Sequence, residues 1–214
     1  MNKSRFTLIE LLVVIGVLAI LAGLLIPTVI GAQQKGRISQ ARADMSSLKT
    51  AFSGLEKDYG RMVGGNHSLG GTAFTEDPSG SGCITIAVST VNADYCNVIA
   101  ELSDPGNAAF NSVRSTSSFL NKRNIKYLDP RPEYNPDQIP SSPNNLNNTW
   151  LDPWGNPYQI RINFDGSGKI PDPSRSGTLS GSIILWSFGP DGVGNSTDDD
   201  KDNIPSWKEG NWLD

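Results

Sequence analysis

The stretch "RFTLIELLVVIGVLAILAGLLIPT", Arg5 to Thr28, decides how the rest of this chain is read. From Leu11 to Ile30 twenty residues pass without a charge, enough to cross a bilayer as a helix. One carboxylate, Glu10, stands at the start of that run. At the centre of a span an ionised carboxylate costs roughly 2.5–3.5 kcal/mol on insertion scales, because its oxygens lose their hydration. Either Glu10 lies shallow enough to reach water, or something inside the membrane pairs with it. The run is too long for the apolar region of a secretory signal, and "TVIGAQQKGR" after Pro27 offers no small-residue cleavage site. Lys3 and Arg5 precede the span, so the positive-inside rule predicts a cytoplasmic N-terminus and an exported remainder.

The helical pattern continues beyond the apolar run. Ile38, Ala41, Met45, Leu48, Phe52, Leu55 and Tyr59 recur at spacings of three and four, which is one stripe on an α-helix. Ser39, Arg42, Asp44, Lys49, Glu56 and Lys57 fall between them as a solvated face, and Gly60 fits a C-terminal cap. From Phe6 to Gly60 this predicts a rod of about 80 Å, apolar all round in its first half and amphipathic in its second. Pro27 is expected to kink or locally melt it, with Gly31 and Gly36 adding weakness nearby.

Beyond the rod the chain is rich in turns: 22 Gly and 14 Pro among 214 residues predict one loop-rich domain rather than a helical bundle. Residues 61–82 read as a long flexible loop containing the single histidine, His67, which has no metal-binding or catalytic partner at a useful spacing. "CITIAVSTV" reads as a short strand, and "NADYCNVIAEL" places Tyr95, Val98, Ile99 and Leu102 on one helical face. Residues 129–149 are Pro- and Asn-rich, hence loop. In "YQIRINF", Tyr158, Ile160, Ile162 and Phe164 alternate with polar residues, which predicts a strand with one face on a core. "SIILWSF" supplies another, and "NFDGSGK" reads as a hairpin turn; its Asn163, Asp165, Ser167 and Gly168 fit the opening of an EF-hand loop, but Ser174 stands where the bidentate Glu belongs. A small antiparallel sheet and a helix with an unmatched apolar stripe suggest each other: an α+β fold.

The net charge of -4 argues against nucleic acid as a partner. Export would put Cys83 and Cys96 in an oxidising compartment, where a bridge worth about 3 kcal/mol is possible; two buried thiols are the alternative. Nothing supports catalysis: there is no G-x-S-x-G or H-E-x-x-H, and one histidine excludes most triads. The chain is expected not to be an enzyme.

The stretch "FTLIELLVVIGVLAILAGLLIP" resembles the N-terminal signature of type IV pilin-like proteins, over roughly residues 1–59. The resemblance makes residues 1–5 a short basic leader, 6–30 the transmembrane half of the helix and 31–60 its amphipathic half. Beyond these come a variable region, 61–150, and a sheet-bearing region, 151–214. It implies that a prepilin peptidase cleaves between Arg5 and Phe6 and methylates Phe6; the family carries a small residue, usually Gly, where this chain has Arg5. It further implies that Glu10 of one copy pairs with the terminal amine of Phe6 in the next, which would set the register of a fibre.

"LDPWGNPYQI" (Leu151–Ile160) followed by "SFGPDGVGNSTDDDKDNIPSW" (Ser187–Trp207) is similar to the C-terminal region of the core pseudopilin of type II secretion. That subfamily binds calcium in its last loop. The match implies side-chain ligands Asp191 and Asp198, with Asp199 a further one, and carbonyls near Phe188 and Val193. The chemistry is sound without the family, since calcium takes six to eight hard oxygens and an acidic Gly-rich loop can supply them; a solvated acidic turn is the plainer reading.

The expected function is a structural subunit of a periplasmic pseudopilus, anchored in the bacterial inner membrane. Its partners would be copies of itself, other pseudopilins, the prepilin peptidase and an inner-membrane assembly platform. The alternatives are a true type IV pilin of a surface fibre and a membrane-anchored calcium-dependent binding domain. Trp154, Trp207 and Trp212 would serve the last of these, although aromatic residues beside turns more often pack a thin core.

Overall fold

A computed structural model describes residues 7–62, 68–69, 72–73, 76, 82–86, 93–103, 120–129, 150–173, 177–194 and 203–207. Contacts divide the chain into two units, one up to Gln40 and one from Ala41 onward. Helix α1, Leu8–Tyr59, has 52 residues and contributes to both.

In the first unit the helix is solvent-exposed on all sides, and Leu8, Ile9, Leu12, Leu18, Ile20 and Leu24 are among many large apolar side chains left uncovered. It is long and apolar enough to cross a membrane. The helix runs unbroken through Pro27, Gly31 and Gly36, so the local melting expected there does not occur. Proline removes one N–H from the ladder, and the intact turns on either side carry the helix past it.

In the second unit the predicted stripe is buried: Ala41, Met45, Leu48, Phe52 and Leu55 are all within 1% of full burial, joined by Ala51. Burying Leu- and Phe-sized side chains stabilises by about 1.5–3 kcal/mol each. The helix ends as predicted, with Gly60 in the left-handed region (φ 69°) donating its N–H to the Glu56 carbonyl at 2.7 Å.

The rest is built around one antiparallel sheet. Its strands are β3 (Cys83–Ile86), β4 (Gln159–Asn163), β7 (Ile183–Ser187) and β8 (Ile204–Pro205), in the order β3-β4-β7-β8. Ile84 pairs with Ile162, Ile162 with Ile183, Ile86 with Ile160 and Ile160 with Leu185. By alternation these aliphatic residues share one face, and all are buried. Helix α2 (Ala93–Ser103) buries the predicted Tyr95, Val98, Ile99 and Leu102. Tyr158 donates its hydroxyl to Asp44 Oδ2 at 2.9 Å, tying α1 to the entry of β4. A long helix packed with a small antiparallel sheet is the predicted α+β fold.

Three expectations are corrected. Strand β4 was expected to bury one face, yet Gln159 and Asn163 on the opposite face are buried as well. That face carries a second small core of Cys83, Ile184, Trp186 and Ile170, with Leu179, Phe188 and Trp207 against it. It is closed by the separate pair β5 (Lys169–Pro171) and β6 (Thr178–Ser180). "NFDGSGK" is therefore no hairpin turn between paired strands: the ladder partners of β4 are β3 and β7, and the bend carries the chain out of the sheet into β5. Finally, residues 61–82 are not all loop. They hold the two-residue pair β1 (Ser68–Leu69) and β2 (Thr72–Ala73), and Glu76 bridges to Ile84. His67 and residues 130–149 lie outside the described residues.

Candidate assembly helix and acidic loop

Thr7 and Glu10 form a reciprocal cap at the start of α1. Glu10 Oε2 accepts from the Thr7 N–H at 2.8 Å and from the Thr7 hydroxyl at 2.7 Å, while Thr7 Oγ1 accepts from the Glu10 N–H at 3.4 Å. This is the T-x-x-E capping box, in which each residue satisfies an orphan donor of the first turn. The signal stood in the sequence as "TLIE" but was masked by the apolar run behind it. Part of the Glu10 charge is thus met by its own helix terminus. Both side-chain and backbone donors of Thr7 reach the same oxygen, Oε2. Arg5 and Phe6 lie outside the described residues.

The acidic loop is held at its base by the turn before β4. Asp152 is 3% exposed. Its Oδ1 accepts from the Trp154 N–H at 3.0 Å and the Asn156 N–H at 2.7 Å, closing the "DPWGN" turn. Its Oδ2 accepts from the Ser187 hydroxyl at 2.6 Å, and Ser187 Oγ in turn accepts from the Gly189 N–H at 3.0 Å. Asn156 Nδ2 reaches across to the Gly189 carbonyl at 3.0 Å. Burial raises the Asp152 carboxyl above its ordinary range, against the pull of its donors Ser187, Asn156 and Trp154. Asp152, Asn156 and Ser187 carry no local sequence signal that marks them as site residues. They touch no expected ligand but hold the chain where the loop leaves β7.

Glycines shape the loop itself. A Cβ on Gly192 (φ 69°) would meet Asn156 Oδ1 at 2.8 Å, and one on Gly194 would strike the Phe188 ring. Asp191 is exposed and its Oδ1 accepts from the Val193 N–H at 2.9 Å. Of the implied calcium ligands, Asp191, Phe188 and Val193 thus fall on one tight turn, while Asp198 and Asp199 lie outside the described residues. Among the described residues no three His, Cys, Asp or Glu side chains stand close enough to hold a metal ion. The described half supplies one exposed carboxylate, that of Asp191, on a turn.

Cys83 is buried in β3, its Sγ 3.5 Å from the Lys169 carbonyl and 3.6 Å from Asn163 Nδ2. Cys96 lies in α2 with its side chain outside the described residues, so the choice between a bridge and two buried thiols lies there too. Of the three tryptophans considered for surface binding, Trp207 packs edge-on against Trp186 with ring centroids 6.4 Å apart, as a core residue would. Trp154 is half-buried in the turn that Asp152 closes, and Trp212 lies outside the described residues.

A second unforeseen device joins the helices. Glu101 in α2 is 0% exposed, and its Oε1 accepts from the N–H groups of Leu120 and Asn121 at 2.7 and 2.6 Å. Asn121 returns the contact to the Glu101 carbonyl at 2.9 Å and accepts from the Tyr59 hydroxyl at 3.2 Å. Tyr127 donates to Asp58 at 2.7 Å and packs on Gly54. Residues 120–129 thereby strap the end of α1 to α2.

No protein-family model matches the chain, and no solved structure gives a significant match.

Proposed function

We propose that this chain is a pilin-like structural subunit that polymerises through α1, acting in a periplasmic pseudopilus that supports type II protein secretion. The observation that carries the reading is the double use of one helix. Residues 8–26 and 29–30 expose apolar side chains on every side, while the buried stripe within residues 41–55 of the same helix belongs to the core of the sheet-bearing unit. A tether needs only apolar length and gains nothing from sharing its helix with the core of the domain it holds. A subunit that must transmit force along a fibre gains a continuous backbone connection. The exposed carboxylate of Glu10 supports the same reading, since it would offer an acceptor to the terminal amine of a neighbouring copy.

In this reading the N-terminus is cytoplasmic, the sheet-bearing unit periplasmic, and Phe6 the start of the processed chain. The acidic loop binds calcium through Asp191, Asp198 and Asp199 with carbonyls near Phe188 and Val193. A surface type IV pilin is the second reading; the acidic segment 191–202 in place of a C-terminal disulfide favours secretion.

Substitution of Glu10 is the test. Glu10→Leu is expected to leave membrane insertion and the melting of the sheet-bearing unit unchanged, while cross-linked oligomers and fibres disappear. Normal fibres from Glu10→Leu protein, or a protein that stays monomeric with Glu10 intact, would refute the reading.

A further inference from the structure

The bend between β4 and β5 has a geometry that a simple turn does not require. Asn163 is 7% exposed, and its Nδ2 has Asp165 Oδ1 at 2.7 Å, Ser167 Oγ at 3.0 Å, the Lys169 carbonyl at 3.1 Å and the Gly82 carbonyl at 3.4 Å. Cys83 Sγ adds a fifth acceptor at 3.6 Å. An amide nitrogen carries two hydrogens, so it cannot serve five acceptors with linear bonds. Four oxygens from two separate stretches of chain are gathered around one buried atom, and three of them also accept a backbone N–H: Asp165 Oδ1 from Ser167 at 2.8 Å, Ser167 Oγ from Lys169 at 3.3 Å and the Gly82 carbonyl from Phe164 at 2.9 Å.

The spacing is that of cation ligands. Oxygens about 2.3–2.6 Å from a calcium ion lie about 2.8–3.4 Å from their neighbours in the coordination shell. The Nδ2 of Asn163 lies 2.7–3.4 Å from all four oxygens as their hydrogen-bond donor, so an oxygen in its place would stand among them as a further ligand of one shell. Half a turn of the amide about its last bond places Oδ1 there instead. That rotation gives up the 3.4 Å contact from the Gly168 N–H to Oδ1 and the contacts from Nδ2 to the four oxygens, which the cation would take over. Chain order agrees: side chains at 163, 165 and 167, a glycine with positive φ at 168 (64°), and a backbone carbonyl at 169 match the opening positions of an EF-hand loop. Gly82 closes the cage from the neighbouring strand. A Cβ there would collide with the Asp165 carboxylate, and Glu76 Oε1 holds the Gly82 N–H at 3.1 Å, bringing a second negative charge to this edge.

We propose that Asn163, Asp165, Ser167 and the carbonyls of Lys169 and Gly82 form a divalent-cation site of calcium size, separate from the acidic loop. Water completes the shell. The ion joins the bend to the start of β3 and so fixes β5 and β6 over the second core. With one carboxylate among its direct ligands and Ser174 at the place of the bidentate Glu, the site belongs in the weak range of extracellular modules, about 10⁻⁴–10⁻³ M. The proposal stands apart from the secretion reading and needs only the cation.

The test is calcium titration by calorimetry of the full chain in detergent, with Asp191, Asp198 and Asp199 all changed to Asn so that the acidic loop contributes nothing. One ion is expected to bind in that background, about tenfold or more weakly after Asp165→Asn and about tenfold more tightly after Asn163→Asp, which adds a ligand charge. The second variant keeps the test decisive if the first fails to fold. A flat titration of the folded triple variant, or binding indifferent to both changes, would overturn the site. Failure of the acidic loop alone would show as equal binding by the triple variant and the unaltered chain, and failure of the fibre reading only in the Glu10 assay.

Discussion

The hydroxyl of Ser187 donates to Asp152 Oδ2 at 2.6 Å between two buried side chains, and this bond anchors the acidic loop to the turn that opens β4. Asp152→Ala would leave Ser187 and the N–H groups of Trp154 and Asn156 without their acceptor. Each orphaned buried donor costs about 1–3 kcal/mol, so a loss of about 2–4 kcal/mol is expected in denaturant unfolding, with Ser187→Ala losing about 1 kcal/mol. A change below about 0.5 kcal/mol for Asp152→Ala would contradict the network.

The same carboxyl carries a pH signature. Its value in the fold is raised by burial above the ordinary 3.8. The folded state therefore takes up the proton before the unfolded one does, and its relative stability rises as pH falls through the raised value toward 3.8. The stability gap between the unaltered chain and Asp152→Ala should widen over that window. Carboxyl NMR should place the Asp152 midpoint above 3.8, and a midpoint at or below it would remove the effect.

Gly194 lies where any Cβ would meet the Phe188 ring. Gly194→Ala must shift the ring or the loop, so the calcium binding proposed for the acidic loop is expected to weaken while the core melts nearly as before. Differential scanning calorimetry with calcium and with chelator reads both. An unchanged calcium-induced shift would show that the ligand geometry does not depend on that contact.

Glu101 offers a contrast. Its burial is made tolerable by the N–H groups of Leu120 and Asn121. Glu101→Gln keeps an acceptor in place and should cost about 1 kcal/mol, whereas Glu101→Ala should cost about 2–4 kcal/mol and free residues 120–129. Amide exchange at Leu120, Asn121 and Tyr127 is the measurement: protection should drop sharply in the Ala variant and little in the Gln variant. Equal protection in both would mean that the strap holds by packing alone.

Phe52 tests the stripe itself. It is fully buried, and Phe52→Ala should cost about 3–5 kcal/mol. A similar substitution at Leu18, exposed in the first unit, should leave the melting of the sheet-bearing unit unchanged.

Local periodicity alone dictates the apolar run, the stripe from Ala41 to Leu55, the Gly60 cap, the buried face of α2 and the strands β4 and β7. All of these were legible in the sequence, because each depends on neighbours within a few positions. Burial on the second face of β4 was not, since Gln159 and Asn163 look solvent-facing until β5 and β6 fold over them. Nor was the part played by Asp152, whose partner Ser187 lies 35 positions away. The oxygens around Asn163 could be suspected from spacing alone, but the carbonyl of Gly82, 81 positions distant, joins them only through the pairing of β3 with β4. Charge and hydrogen bonding act across space without regard to chain order, so their partners are settled only when the sheet register is.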